Sequence, residues 1–136
     1  YGVVVTPADG WYDASEDWEV GEDGIALQKS GVYTAFWVAP YDGTNEALLD
    51  EQLGYLTQDF DSHRVLPAAA TMVAGDVPGL STLVTGVSES WGPENELVVA
   101  VSDGVGVVML ATAESGQLAR LQDDLDAMLE TMVMPR

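Results

Sequence analysis

The stretch Glu96 to Ala113, ELVVAVSDGVGVVMLATA, constrains this chain more than any other. Asp103-Gly104 stands between two apolar runs, and Asp-Gly is a pair that tolerates the positive φ angles of a two-residue hairpin turn. Such a turn sets Ser102 against Val105, Ala100 against Val107 and Val98 against Met109. Val101, Val99 and Leu97 then share the opposite face with Gly106, Val108 and Leu110. Side chains alternate between the faces of a strand, and here neither face is polar. Neither can lie in water, so the rest of the chain must cover both.

Candidate covers follow from helical spacing. Leu49, Leu53, Leu56 and Phe60 recur at intervals of four, three and four, while Asp50, Glu51 and Asp59 fall elsewhere. This predicts an amphipathic helix over 45–60, with Thr44 as its N-cap and Glu46 in the first turn. Leu118, Leu121, Leu125, Met128, Leu129 and Met132 form a second stripe, predicting one helix over 116–133 after an N-cap at Ser115. The β-branched run Val3 to Thr6, ended by Pro7, reads as a first strand. Gly24 to Leu27 and Val32 to Ala39 read as two strands joined across residues 28–31. The second is apolar on both faces and therefore central. Val65 to Ala74 and Leu80 to Ser90 are further strands flanking the turn over 75–79, and Trp91-Gly92-Pro93 breaks the chain before the hairpin. The acidic, aromatic segment from Trp11 to Asp23 lacks clean periodicity and reads as a loop with a short strand near Trp18 to Val20. Short turns make consecutive strands antiparallel. The expected architecture is an α+β domain spanning 1–136, a mainly antiparallel sheet with helices packed on both faces in three layers.

The chain carries 23 Asp and Glu against four basic residues, a formal net charge of −19. Such a surface repels nucleic-acid phosphates and anionic lipid, so neither is an expected partner. The acids are spread along the chain, which fits a solvated surface, in high salt or as part of an exported protein. No cysteine is present, so disulfides, zinc–thiolate sites and thiol nucleophiles are absent together. No apolar run reaches the roughly 18 residues of a spanning helix. The chain opens at Tyr1 on an apolar segment, and a targeting or anchoring segment is expected upstream.

Candidate chemistry is sparse. Asp13, Asp17, Glu19, Glu22 and Asp23 supply carboxylates for calcium, without the spacing of an EF-hand loop; Asp13, Asp17, Glu19 and Asp23 are the candidate ligands. Asp59, Asp61 and His63 stand at alternate positions and would share a face of an extended segment. His63 is the only histidine, and no Gly-x-Ser-x-Gly elbow occurs, so a nucleophilic triad has little to draw on. Ser88-Glu89-Ser90 reads as an exposed polar edge. Asp103-Gly104-Val105-Gly106 is a hairpin turn rather than a phosphate loop. Trp11, Trp18, Tyr41 and Trp91 sit in or beside loops and are the candidate ligand or partner contacts.

Several of these features resemble the PsbP-like fold, a group that includes lumenal photosystem proteins and actinobacterial lipoproteins of the LpqN type. They are the Pro7-Ala8-Asp9-Gly10-Trp11 opening, the Gly24-Ile25-Ala26-Leu27 hairpin, the mid-chain helix, the long second hairpin and a closing helix ending Met128-Leu129-Glu130-Thr131-Met132. The acidic insert over 13–23 is not a feature of the group. The resemblance implies a non-enzymatic, exported or lumenal domain that binds a protein or small-molecule ligand, with no catalytic residue to carry over. The expected role is a non-catalytic extracytoplasmic binding domain without a cofactor, the soluble part of a lipoprotein or membrane-anchored protein. The alternative is a calcium-responsive domain or a carboxylate-based hydrolase.

Overall fold

The computed structural model describes residues 4–14 and 24–133. Their strands are β1 (Tyr12–Asp13), β2 (Gly24–Lys29), β3 (Val32–Pro40), β4 (Phe60–Val65), β5 (Ala69–Val73), β6 (Val77–Ser88), β7 (Glu94–Ser102) and β8 (Val105–Ala113). The helices are α1 (Asn45–Thr57), α2 (Gln117–Arg120) and α3 (Gln122–Thr131). The fold is α+β around one sheet in the order β1-β2-β3-β8-β7-β6-β4, with β5 also paired to β6. These pairings are all antiparallel.

The β7–β8 hairpin lies at the centre in the register that its turn dictates. Ser102 faces Val105, Ala100 faces Val107 and Val98 faces Met109. Asp103 and Gly104 both have positive φ, 52° and 78°, as a two-residue turn matched to strand twist requires. The two faces of the hairpin enter different cores. Leu97, Val99, Val108 and Leu110 are buried with Leu48, Leu49 and Leu56 of α1. Val98, Ala100, Val107 and Met109 are buried with Leu118 of α2 and Leu125, Met128 and Leu129 of α3. Thr44 caps α1, its Oγ1 accepting from the Ala47 N–H at 3.1 Å. Asn45 latches that helix to the sheet: its Oδ1 accepts from Val101 N–H at 2.8 Å and its Nδ2 donates to the Pro78 carbonyl at 3.1 Å.

Several expectations need correction. The run from Val65 to Ala74 is not one strand. Pro67 interrupts it, and β4 and β5 pair in turn with successive parts of β6. The helix expected to reach Phe60 ends at Thr57, and Phe60 opens β4. The single C-terminal helix is broken at Leu121 (φ −110°, ψ 13°), whose N–H is shared between the Gln117 and Leu118 carbonyls. The hydrophobic stripe runs across this break without a change of period, so spacing alone could not locate it. Ser115 does not cap it; Gly116 precedes α2, and its N–H donates to Glu94 Oε1 at 2.8 Å. The expected first strand is, over its described part, a single antiparallel bridge from Val4 to Val133. The loop between β2 and β3 is also shorter than expected, a two-residue Ser30-Gly31 turn.

Candidate functional site

The aromatic candidates do not form one site. Trp11 is buried in the core beneath α2 and α3, and its indole N–H donates to Asp124 Oδ2 at 2.9 Å. Lys29 Nζ reaches the same oxygen at 3.0 Å and the Asp9 carbonyl at 2.8 Å. The indole bond, then the lysine, hold the Asp124 carboxyl below its usual range. The Pro7 to Trp11 segment is thereby pinned to α3 and β2, with Trp11 8% exposed. Tyr41 and Trp91 pack against the other core. Tyr41 donates its N–H to the Gly104 carbonyl at the turn of the central hairpin, with its ring base over Gly106. Trp91 precedes Gly92, whose backbone lies against Ala113 at the far end of β8. Eight residue steps of strand, about 26 Å, separate these ends. Trp18 lies outside the described residues.

The metal candidates fare similarly. Asp13 is exposed on β1, and Asp17, Glu19, Glu22 and Asp23 lie outside the described residues. Asp61 and His63 are exposed on β4, beside a bulge between Phe60 and Ser62 that disturbs the alternation. Among the described residues no group of three or more His, Asp or Glu is placed to hold a metal ion. Ser88 is a local brace rather than a bare edge: its Oγ donates to the Asp59 carbonyl and accepts from the N–H groups of Ser90 and Trp91.

What the structure does assemble is a groove beside α2 and α3. Leu83 faces Glu96 and Thr85 faces Glu94 across β6 and β7, so all four side chains share the sheet face that α2 and α3 cover. A cleft of about 140 Å³ lies there, bounded by Leu83, Thr85, Glu94, Leu118, Ala119 and Gln122. A second cleft, about 350 Å³, continues along the same flank of α3 between Thr71, Met72, Gly75, Asp126, Leu129 and Glu130. Gln122 joins them: its Nε2 lies 3.3 and 3.2 Å from the two Glu96 carboxylate oxygens and 3.0 Å from Asp126 Oδ1. Burial pushes the Glu96 carboxyl upward, the Gln122 hydrogen bond partly opposes this, and the Asp126 charge adds to the rise. Two large apolar side chains of this face are exposed, Leu83 (38%) and Val87 (61%), while Met72 (51%), in register with Pro78, belongs to the other face of the sheet.

No groove residue was among the site candidates that the sequence offers; Leu118 and Leu129 read only as part of a helical core stripe. The available signal was Glu94-x-Glu96-x-Val98-x-Ala100: two acids in phase with the inward positions of a strand apolar on both faces. An acid at such a position is either paired or at the mouth of a cleft.

No helix among the described residues is long and apolar enough to cross a membrane. No family model matches the chain, and no curated protein matches it. Solved structures do. The cyanobacterial PsbP (CyanoP) of Synechocystis superposes with a TM-score of 0.65 at 8% identity, covering 98% of this chain and 87% of its own. LpqN of Mycobacterium tuberculosis gives 0.65 at 14% identity, covering 98% of this chain and 83% of its own. PA94 of Pseudomonas aeruginosa, a protein of unknown function, gives 0.60 at 12% identity over 83% of this chain and 81% of its own.

Proposed function

We propose, on the premise of a PsbP-like fold close to that of LpqN, that this chain is a non-catalytic extracytoplasmic binding domain. It acts as the soluble part of a lipoprotein or membrane-anchored protein. The observation that carries this reading is the likeness over nearly the whole chain to LpqN, a protein involved in cell envelope biogenesis. Fold alone does not bring function with it, so the site must supply the rest. The acidic surface agrees with work outside the cytoplasm and with a partner that is neither nucleic acid nor anionic lipid. We read the two cores as marking three layers of a single domain, with α1 on one face of the sheet and α2 and α3 on the other. The domain works without a resident cofactor, so its melting temperature should be the same in calcium and in chelator; a rise in calcium would reveal a bound ion.

The test is compartment and chemistry together. The full-length native protein, tagged at its C-terminus, is fractionated from its own cells, and the purified domain is offered ester, phosphoester and glycoside model substrates. The expected result is an extracytoplasmic or membrane-anchored fraction and no turnover. A cytoplasmic protein, or turnover lost on substituting a single carboxylate, overturns the proposal.

A further inference from the structure

We infer that the groove beside α2 and α3 is the binding surface, and that it takes an extended, cationic and apolar segment of a protein partner. The inference rests on the binding-domain reading above and goes beyond it by naming the surface and the partner's chemistry. The two clefts lie on one sheet face and one helical flank, and Glu96, Gln122 and Asp126 join them. The first cleft rests on Leu83 and Thr85 of β6 and the second on Thr71 of β5, so an occupant passes from one strand to the next along the flank of α2 and α3.

Its lining alternates in chemistry. Leu83 and Leu118 are apolar at one end, and Leu129 at the other. Glu94, Glu96, Asp126 and Glu130 place four carboxylates along the same path. An occupant with Lys or Arg alternating with aliphatic side chains would place charge against charge and apolar surface in both clefts. Arg64, in register with Thr85, lies on the outer strand and marks the groove's side limit. A second copy of this chain is a poor occupant, because each copy carries a net charge of −19. The same charge disfavours nucleic acid and anionic lipid.

The probe is a synthetic peptide of alternating Lys and Leu, about eight residues long, titrated calorimetrically into the intact domain. Saturable binding is expected, and a peptide of alternating Lys and Ser should bind far more weakly. Asp126→Lys with Glu130→Lys should weaken binding by about tenfold or more, since it reverses two contacting charges. Asp50→Lys with Glu51→Lys, on exposed positions of α1, should change it by less than about threefold. The neutralised pair Asp126→Asn with Glu130→Gln keeps the test intact if the reversed pair does not melt cooperatively. Equal weakening by the groove and α1 pairs would show attraction by bulk charge and overturn the inference. Equal binding of the Leu and Ser peptides would overturn the apolar part, and with it the groove. A dimer that sedimentation detects in the free protein, and that the groove pair dissociates, would assign the surface to a second copy and overturn it too. If the groove fails while the native protein still fractionates outside the cytoplasm, only this inference falls.

Discussion

Leu56 on α1 and Leu97 on β7 share one core, whereas Leu125 on α3 belongs to the other. Each is at most 4% exposed. If the sheet separates two cores, the pair Leu56 and Leu97 must couple differently from Leu56 and Leu125. A buried Leu→Ala costs the transfer free energy of the lost atoms and a cavity term, about 2–5 kcal/mol in total. Two such changes approach the whole stability of an ordinary domain, about 5–15 kcal/mol. The four-variant cycles are therefore measured by urea unfolding in a fixed concentration of sulfate, which strengthens apolar burial. Truncations within one core should interact by about 0.5–3 kcal/mol, because the second enlarges a cavity that the first opened. Truncations on opposite faces should add to within about 0.5 kcal/mol. Constant m-values would confirm that the native and unfolded states are comparable throughout. Coupling of Leu56 to Leu125 stronger than that of Leu56 to Leu97 would refute the two-core reasoning.

Three further outcomes are expected. Val99→Asp or Val108→Asp buries a carboxylate among aliphatic side chains and should abolish cooperative thermal unfolding, since both residues are at most 3% exposed; a cooperative melt by circular dichroism would show that this strand pair is not central. Glu96→Gln should raise the melting temperature at pH 7. Burial raises the Glu96 carboxyl, so its ionisation subtracts stability as pH climbs through the folded-state value, while Gln stays neutral and still accepts from Gln122. The advantage should vanish in acid, where both forms are neutral, and a variant less stable at pH 7 would contradict the assignment. Asp124→Asn should destabilise at neutral pH by about 1 kcal/mol or less, as befits a partly exposed ion pair. The depressed Asp124 carboxyl contributes stability above its unfolded-chain value, about 3.9, and loses it as pH falls toward the folded-state value. The gap between wild type and variant, followed by calorimetry, should close on acidification; a gap independent of pH would point to packing instead.

Much of the fold was legible because it is dictated locally. Asp103-Gly104 fixes a turn, the turn fixes the register, and the register decides which core each of Val98 and Val99 enters. The PsbP-like resemblance, drawn from element order and the Gly10-Trp11 opening, agrees with the superpositions on CyanoP and LpqN. Boundaries were less legible, since Leu121 interrupts a helix without interrupting its apolar stripe, and Pro67 divides a run that reads as one strand. The site was least legible. Loop tryptophans drew attention by residue type, yet Trp11 is committed to Asp124 and the core, and Tyr41 and Trp91 lie at opposite ends of a strand. The groove depends on long-range pairing, Leu83 with Glu96 and Gln122 with Glu96, and no local spacing reports such contacts; only Gln122 with Asp126, one helical turn apart, is local.

The most direct test of the binding account is photo-cross-linking of the full-length protein in its own cells. A benzophenone side chain is placed at Val87, which continues the Leu83 and Thr85 face of β6, or at Tyr55 on α1, comparably exposed at 61% and 59%. The account predicts a defined adduct outside the cytoplasm from Val87, with a partner whose cross-linked segment carries alternating basic and apolar residues, and none from Tyr55. The absence of adducts from both positions, with the protein located in the cytoplasm, would contradict it.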